Sequence, residues 1–482
     1  MTSGTLRDII KAYDVRGLVP QQLNTDVARA IGCGFSEVVA LPEGADRVVI
    51  GHDMRASSPE LAAAFAEGAA SRGLDVVVIG LCSTDGLYYA SGALDVPGAM
   101  FTASHNPARY NGIKLCRAAA RPVGEDSGLT EIRDVAQRVL DLGEGALTPG
   151  PVPPGSLSRR DLLGDYAAFL RSLVDLRGGR HLTIVVDAGN GMAGHTVPAV
   201  LGTSAGLEPL PLTVIPLYFE LDGTFPNHEA NPLDPANLRD LQRAVLEHGA
   251  DLGLAFDGDA DRCFFVDERG EAVSPSAVTA LVASREIARE QRDGTDPSQV
   301  RIVHNVICSA AVAEIVAEHG ATPVRTRVGH SFVKAAMARS HAVFGGEHSA
   351  HYYFRDFWYA DTGMLAAQHV LAALAEASQP LSALAAAYSR YAASGEVNST
   401  VADVPAAIRK VRQWAAAQGV VALDELDGLT VTHDGQPMWW VNVRPSNTEP
   451  LLRLNVEGAD RGTMERVRDE VLALLRDKER HQ

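Results

Sequence analysis

The sequence predicts several α/β domains in tandem, followed by a smaller α+β domain at the C-terminal end. The chain has 482 residues and is 46% hydrophobic, which is far more than one hydrophobic core needs. Three stretches share one rhythm, in which a β-branched strand ends in polar or glycine residues, an alanine-rich helix follows and a second strand comes next. This repeated pattern predicts mixed or parallel sheets.

The clearest helix of the repeat begins at Ser58. Ser58 as N-cap and Pro59 as the first helical residue are typical of a helix start, and Gly73 marks its end. The predicted strands are 47–53, 75–79, 183–187 and 301–304, and the predicted helices are 58–73 and 310–318.

Two changes in composition indicate domain boundaries. Residues 148–155 are too rich in Pro and Gly for a regular element and read as a linker. Near Gly395 the alanine-rich character ends, and strands at 428–433, 438–443 and 451–456 with a helix at 461–478 predict the small α+β domain. We therefore expect domains at 1–155, 156–271, 272–388 and 389–482.

The overall charge excludes two classes of partner. The chain has 43 Lys and Arg against 60 Asp and Glu, a formal charge of −17, and no basic block, so neither nucleic acid nor a membrane surface is expected. Five separated cysteines without a CxxC pair predict reduced thiols rather than a zinc or disulfide site. No apolar run approaches membrane-spanning length, and we expect a cytoplasmic protein.

The segment 101–107 places Ser104 on a stiff polar loop. Pro107 keeps the preceding residue out of helical geometry, and His105 and Lys114 lie close by in sequence. A hydroxyl that accepts and returns a phosphate needs such positioning, cations and a base. Taken alone, the same residues also fit an ordinary polar turn.

An apolar strand ends in three carboxylates, Asp257, Asp259 and Asp261. In extended geometry alternate side chains share a face, so the three are expected to converge on one hard cation. Magnesium, with few protein oxygens and a substrate phosphate, fits this spacing. Arg262 follows directly and can hold an oxygen of the phosphate.

Two other interpretations of these carboxylates are weaker. An EF-hand loop would have Glu268 at its last position, but it requires Gly where Arg262 stands, and the flanks read as strands. A haloacid-dehalogenase-type site would use the first Asp as nucleophile. It expects Thr or Val in the place of Asp261 and leaves the Ser104 loop without a role.

Two further polar segments suit a sugar phosphate. In 345–351, Glu347 and Ser349 alternate onto one side as acceptor and donor for adjacent sugar hydroxyls. In 444–450, a turn between strands offers hydroxyl, amide and backbone donors that could clamp a phosphate beside an arginine. Each segment alone also fits a plain turn.

Together the four segments resemble one family. T-A-S-H-N-P, D-G-D-A-D-R, G-E-H-S-A-H and R-P-S-N-T-E-P occur in the order and approximate spacing of the α-D-phosphohexomutase superfamily, and A-Y-D-V-R-G at 12–17 resembles its N-terminal motif. The resemblance covers essentially the whole chain. The segment 345–351, here called the sugar loop, is most similar in form to that of the bacterial phosphomannomutase/phosphoglucomutase branch.

The resemblance implies four domains around a central cleft and a magnesium-dependent mutase. Phosphate would move between the 1- and 6-positions of mannose or glucose through phosphoserine Ser104 and a hexose 1,6-bisphosphate, which also serves as activator. Ser104, Asp257, Asp259 and Asp261 would hold the metal. The further catalytic candidates are His105, Lys114, Arg262 and His330. The residues implied to bind the sugar phosphate are Tyr13, Arg16, Glu347, Ser349, His351, Arg444, Ser446, Asn447, Thr448 and Arg453.

One position departs from the family pattern. Many relatives carry a Lys before a Cys-Thr or Cys-Ser pair, and here Ile307 stands before Cys308. A cleft cation is therefore missing, which leaves the proton-transfer group and the substrate preference open. The alternatives are an amino-sugar phosphate mutase and a sugar-phosphate binder or phosphatase that does not cycle phosphate.

Overall fold

Four β-sheets follow one another along the chain. The computed structural model describes residues 4–11, 13–143, 153–445 and 451–476. The first three sheets combine parallel and antiparallel strands with helices, and the fourth is antiparallel throughout. This arrangement confirms the fold class predicted from the sequence.

The first sheet has six strands in the order β1-β5-β4-β2-β3-β6. The strands are β1 (Val15–Leu18), β2 (Arg47–His52), β3 (Asp75–Leu81), β4 (Gly98–Phe101), β5 (Tyr110–Cys116) and β6 (Leu157–Arg159). The helices are α1 (Gly4–Ile9), α2 (Thr25–Phe35), α3 (Ser58–Ala70), α4 (Thr84–Leu94) and α5 (Leu129–Leu142).

The second sheet has five strands in the order β11-β10-β9-β7-β8. The strands are β7 (Leu182–Asp187), β8 (Leu212–Leu217), β9 (Leu252–Phe256), β10 (Cys263–Asp267) and β11 (Ala272–Val273). The helices are α6 (Leu163–Leu173), α7 (Ala193–Val200) and α8 (Arg239–His248).

The third sheet repeats this topology in the order β13-β12-β14-β15-β16. The strands are β12 (Arg301–Asn305), β13 (Thr322–Thr326), β14 (Phe344–Gly346), β15 (Tyr352–Phe354) and β16 (Ala360–Asp361). The helices are α9 (Pro275–Arg292), α10 (Ala310–Glu318), α11 (His330–Ser340), α12 (Gly363–Glu376) and α13 (Leu381–Ala386).

The fourth sheet has five antiparallel strands in the order β17-β21-β20-β19-β18. The strands are β17 (Ala392–Ser399), β18 (Ala422–Asp424), β19 (Leu429–His433), β20 (Trp439–Pro445) and β21 (Leu452–Gly458). Helices α14 (Val404–Ala416) and α15 (Arg461–Arg476) pack on this sheet around a core of their own.

Sheet membership extends the first two domains slightly beyond the expected boundaries at 155 and 271. Strand β6 pairs with β3 in the first sheet, and β11 pairs with β10 in the second. Strand β6 completes its sheet edge by a long-range pairing that local composition does not signal, whereas β11 follows β10 directly in a short hairpin. Among the described residues, no helix is long and apolar enough to cross a bilayer.

Helices α2 and α3 of the first domain pack backbone against backbone. A Cβ at Gly32 would lie 2.3 Å from the carbonyl oxygen of Phe65, and a Cβ at Gly68 would lie 2.1 Å from that of Arg29. Both contacts are far shorter than a carbon–oxygen contact allows. The two glycines therefore set how closely the two helices approach each other.

We expect Gly32→Ala to lower the melting temperature of the protein. Alanine favours a helix over glycine by about 1 kcal/mol, but overpacking at a backbone contact costs about 1–3 kcal/mol, so the clash should outweigh the propensity. Gly164→Ala, in α6 with open space around its Cβ, is the matched control and should leave the melting temperature unchanged or raise it. Calorimetric traces in which both variants are stabilised would contradict the close approach.

Candidate active site

The three functional loops occupy equivalent places in the first three sheets. Each follows a strand that has a parallel neighbour, β4, β9 or β14, and precedes the antiparallel strand that pairs with it on the other side, β5, β10 or β15. Each loop contains a residue other than glycine with positive φ: Ser104 (49°), Ala260 (61°) and Ala350 (65°). The sharp turns direct the loop side chains away from the sheets and toward one another.

Ser104 lies in a buried, strained turn against residues 257–261 of the second domain, here called the acidic loop. Its side chain is 5% exposed, and its backbone N–H donates to Thr102 Oγ1 at 2.9 Å. The hydroxyl donates to Asp257 Oδ2 at 2.9 Å, and His105 Nδ1 lies 3.2 Å away. A positive φ in a residue other than glycine is uncommon and costs free energy, so the surroundings must hold this turn.

Arg55 holds the Ser104 turn, although sequence reasoning did not identify it. Its guanidinium donates to the carbonyl oxygens of Ser104 (2.9 Å), Asn106 (2.7 Å), Pro107 (3.1 Å) and Tyr110 (3.1 Å). No local pattern signals this role, because the bonded carbonyls lie about fifty residues further along the chain.

The acid that pairs with Arg55 is itself fixed by the start of α3. Arg55 Nε lies 3.2 Å from Asp53 Oδ2, and both side chains are fully or nearly fully buried. Ser58 donates to Asp53 Oδ1 at 2.6 Å. The expectation of Ser58 as N-cap is wrong by one residue: Ser57 occupies the N-cap position of α3, without a side-chain capping hydrogen bond, and the Ser58 hydroxyl donates to Asp53.

The three carboxylates of the acidic loop converge, with ligand oxygens that all lie within 4.8 Å of one another. We expected the carboxylates to converge because alternate residues of an extended strand share a face, and this expectation is wrong. Strand β9 ends at Phe256, and residues 257–261 form a tight turn around Ala260. Gly258 lets the turn approach the first domain, since a Cβ there would lie 2.4 Å from the carbonyl oxygen of Ser104.

The oxygen atoms of this loop fit a hard divalent cation. Asp259 Oδ1 and Asp261 Oδ1 are buried without a hydrogen-bond partner within the described chain, whereas their Oδ2 atoms accept from Lys114 at 2.7 and 2.6 Å. Lys114 therefore holds the outer oxygens and leaves the inner ones unsatisfied. Unsatisfied buried carboxylate oxygens are costly, and magnesium is a suitable partner for them.

Arg262 balances the first carboxylate. Its Nε donates to Asp257 Oδ2 at 2.9 Å and its Nη2 to His105 Nδ1 at 2.6 Å. Burial raises the pKa of Asp257 despite Arg262, and the nearby Asp261 and Asp259 raise it further. Burial acts in the same direction on Asp259, but there the adjacent Lys114 prevails and lowers the pKa.

Three of the catalytic candidates, Lys114, His105 and His330, differ in charge. Burial opposes the charge of Lys114, but Asp259 and Asp261 hold its pKa well above the usual range. Burial and the positive charge of Arg262 keep the pKa of His105 well below its usual range. Burial and Lys334 lower the pKa of His330 to about 3.

Tyr13 and Arg16 lie where the first domain faces the other loops. The Tyr13 ring packs edge-on against His330, with ring centroids 5.4 Å apart. Arg16 donates to the Asn106 side chain and to the Ala103 carbonyl oxygen at 3.3 Å. Both residues therefore border the Ser104 loop or the third domain, as a place in a common cleft requires.

Glu347 in the third loop is held mainly by neutral donors. It accepts from Asn305 Nδ2 (3.0 Å), the Gly329 N–H (3.0 Å) and the Tyr353 hydroxyl (2.6 Å). Ile307, in the place of the family lysine, is buried. Neutral donors can hold a carboxylate in place without a cation, because each hydrogen bond stabilises its charge.

The sugar-loop side chains are arranged by a turn rather than by strand alternation. Strand β14 ends at Gly346, and residues 347–350 turn back so that Ser349 Oγ lies 3.1 Å from His351 Nδ1. His351 Nε2 in turn lies 3.8 Å from Asp261 Oδ1 and 4.0 Å from Asp361 Oδ2. Asp361 was not identified from the sequence. It is buried and pairs with Lys334 at 2.7 Å.

The fourth domain contributes a buried arginine. Arg444 is 4% exposed and contacts Glu396 at 2.6 Å and Asn455 at 2.8 Å. Arg453 approaches the same Glu396 at 3.2 Å. The other clamp residues predicted from the sequence, Ser446, Asn447 and Thr448, lie outside the described residues.

Family models match all four domains in order. They are described as the phosphoglucomutase/phosphomannomutase α/β/α domains I, II and III and the C-terminal domain. The matched residues are 7–140, 165–270, 275–391 and 396–474.

Individual relatives match over nearly the full length. The chain is 38% identical over 472 residues to a phosphomannomutase of Escherichia coli, covering 97% of this chain and 98% of the relative. It is 40% identical over 471 residues to a protein named phosphohexose mutases in Xanthomonas campestris pv. campestris, again covering 97% and 98%.

Solved structures give the same result. A phosphoglucomutase/phosphomannomutase family protein of Burkholderia thailandensis superposes with a TM-score of 0.83 at 31% identity, covering 98% of each chain. An N-acetylphosphoglucosamine mutase of Aspergillus fumigatus superposes with a TM-score of 0.62 at 14% identity. That second likeness is one of fold alone.

We expect Arg55→Lys to lower kcat by about ten- to a hundredfold with a smaller effect on KM. Lysine has three donors on one atom and cannot reach four separate carbonyl oxygens, and a displacement of about 1 Å at a reacting group can cost a hundredfold in rate. Arg47→Lys, an exposed arginine of the same domain paired with Asp46, is the control and should leave both constants unchanged. Wild-type kcat in Arg55→Lys would mean that the Ser104 turn keeps its conformation without the hydrogen bonds from Arg55.

Proposed function

The chain belongs to the phosphoglucomutase/phosphomannomutase family of isomerases, and we propose that it moves a phosphate between the 1- and 6-positions of a hexose through a phosphorylated Ser104. The observation that carries the proposal is the 2.9 Å contact between Ser104 Oγ and Asp257 Oδ2. A phosphate on that oxygen would stand beside the unsatisfied oxygens of Asp259 and Asp261.

The proposed cycle has two related steps. First the phosphorus–oxygen bond to Ser104 breaks and the departing serine oxygen takes up a proton, while a new bond forms to the free hydroxyl of a hexose monophosphate and that hydroxyl loses its proton to a base. The resulting 1,6-bisphosphate turns in the cleft, and the reverse step returns its other phosphate to Ser104. Magnesium, when bound by Asp257, Asp259 and Asp261, supplies positive charge to the transferring phosphoryl group. Arg262 would hold a phosphate oxygen from the side of His105.

The pKa shifts support a division of the acid and base roles. Lys114 keeps its proton because Asp259 and Asp261 raise its pKa despite burial, so it suits a hydrogen-bond donor and positive charge partner for phosphate. His105 and His330 stay neutral near pH 7, since burial lowers the pKa of both. A neutral imidazole can accept a proton from a sugar hydroxyl.

The remaining residues would bind the sugar and its second phosphate. Because the bisphosphate must fit in both directions, contacts to hydroxyls and phosphate oxygens are suited to both orientations, whereas contacts specific to one end are not. We assign the cleft wall to Tyr13 and Arg16, the sugar hydroxyls to Glu347, Ser349 and His351, and the distal phosphate to Arg444, Ser446, Asn447, Thr448 and Arg453.

Turnover is favoured over simple binding. A binder that does not cycle phosphate needs neither a serine in contact with carboxylates nor an acidic loop with unsatisfied oxygens, and here both occur together. The same cycle would use hexose 1,6-bisphosphate as activator, since it can rephosphorylate a serine that has lost its phosphate.

All five cysteines are free, which supports our expectation of a cytoplasmic enzyme.

Active protein is expected to carry phosphate on Ser104, because the transfer begins and ends there. Intact-mass measurement with peptide mapping should find the adduct on this serine, and Ser104→Ala should lower turnover by about a thousandfold or more. Ser204→Ala, an exposed loop serine, is the control. Full activity with a phosphorylated aspartate instead would favour a dehalogenase-like reaction.

Both mannose 1-phosphate and glucose 1-phosphate are expected to react, with little activity on N-acetylglucosamine phosphates. The first two differ only at the 2-hydroxyl, to which we assign no residue, and a hydroxyl that no residue binds gives little discrimination. Ratios of kcat/KM measured in a coupled assay decide the point. A preference for mannose beyond about a hundredfold would require a further residue at the 2-position, and a dominant amino-sugar rate would overturn the branch assignment.

A further inference from the structure

The start of helix α4 lies where the first three domains meet. Ser83 caps the helix by accepting from the Gly86 N–H at 3.1 Å, and the two residues that follow point in different directions. Thr84 contacts the acidic loop of the second domain, whereas Asp85 is surrounded by hydroxyl groups. Both side chains are completely buried, and neither belongs to the motifs singled out from the sequence.

Thr84 holds Asp259 at two points. Its hydroxyl donates to Asp259 Oδ2 at 2.6 Å, and its backbone N–H donates to the Asp259 carbonyl oxygen at 3.0 Å. Lys114 donates to the same Oδ2 at 2.7 Å. With Oδ2 and the backbone restrained, Oδ1 of Asp259 is left as one of the two unsatisfied oxygens of the acidic loop, the other being Asp261 Oδ1.

Asp85 joins the first domain to the next two. Its Oδ2 accepts from the Tyr166 hydroxyl of α6 at 2.7 Å and from Thr362 Oγ1 at 2.7 Å, and its Oδ1 accepts from Ser83. Thr362 also caps α12, accepting from the Leu365 N–H at 3.2 Å. Burial raises the pKa of Asp85 to about 6, so keeping this charge at neutral pH depends on the three hydroxyl donors.

We infer that Thr84 and Asp85 are positioning residues for magnesium. Thr84 orients the carboxylate of Asp259, and Asp85 fixes the start of α4 against the second and third domains so that Thr84 stays in register with the acidic loop. The inference rests on the proposed metal-dependent function. It adds to the three carboxylates proposed as ligands a pair of outer residues from the first domain.

If Thr84 and Asp85 only stabilised the contact between the domains, replacing them would have a different effect. Loss of a buried hydrogen bond lowers the melting temperature wherever it occurs, but only a residue that orients a ligand also changes metal affinity. Outer residues that hold metal ligands typically contribute ten- to a hundredfold in affinity. Metal binding measured apart from turnover therefore separates the two roles.

The test is isothermal titration calorimetry of Mg²⁺ into purified full-length protein without substrate. Thr84→Val keeps the shape and removes the hydroxyl, and its Kd should rise about tenfold or more. Thr84→Ser restores the hydroxyl and should return the Kd to near the wild-type value. Thr196→Val is the matched control and should not change the Kd, because among the described residues the buried Thr196 hydroxyl bonds only the Met192 carbonyl oxygen, at 3.3 Å.

Tyr166→Phe tests the second half of the inference, because it removes one donor to Asp85 and leaves Thr84 intact. Its Kd should rise by less than that of Thr84→Val, with a lower melting temperature. A lower melting temperature with an unchanged Kd would overturn the role of Asp85, and an unchanged Kd in Thr84→Val would overturn the role of Thr84. Asp259→Asn serves as reference: if it binds Mg²⁺ as the wild type does, the metal assignment itself fails.

Discussion

The central constraint on this structure is the mutual repulsion of three buried carboxylates in one turn. Asp257, Asp259 and Asp261 bring their oxygens within 4.8 Å of one another, where like charges in a poorly solvated site repel strongly. Arg262 and Lys114 offset part of this charge from two different domains. The oxygens that remain unsatisfied define the place for a cation. The repulsion among the carboxylates therefore destabilises the fold without a cation and favours the binding of one.

Repetition of one sheet topology solves the problem of bringing these groups together. In each of the first three domains the functional loop lies at the switch from parallel to antiparallel pairing, a place where the chain turns sharply at the edge of rigid strands. Sites built on strand ends are held more rigidly than sites on free loops. Close contacts such as that of Gly258 with Ser104 then set the distance between the serine and the carboxylates.

The residues of the site are held in place in two different ways. The Ser104 turn and Asp259 are each held by buried donors from distant residues, Arg55 and Thr84. Glu347, by contrast, is held mainly by neutral donors, and Ile307 occupies the place of a family cation. Phosphate transfer depends on fixed charges, whereas recognition of a hydroxyl tolerates a carboxylate supported by neutral hydrogen bonds.

The sequence by itself determined the fold class, the three strand–helix–strand repeats and the loops that carry Ser104, the acidic triad and Glu347. Those features are local, because hydrophobic periodicity and turn residues act over a few positions. The tertiary structure alone revealed Arg55, Thr84 and Asp361, whose partners lie far away in sequence, and it replaced strand alternation by a turn as the reason that the carboxylates converge. Long-range hydrogen bonds leave no periodic trace in the sequence, so only the folded chain could disclose them.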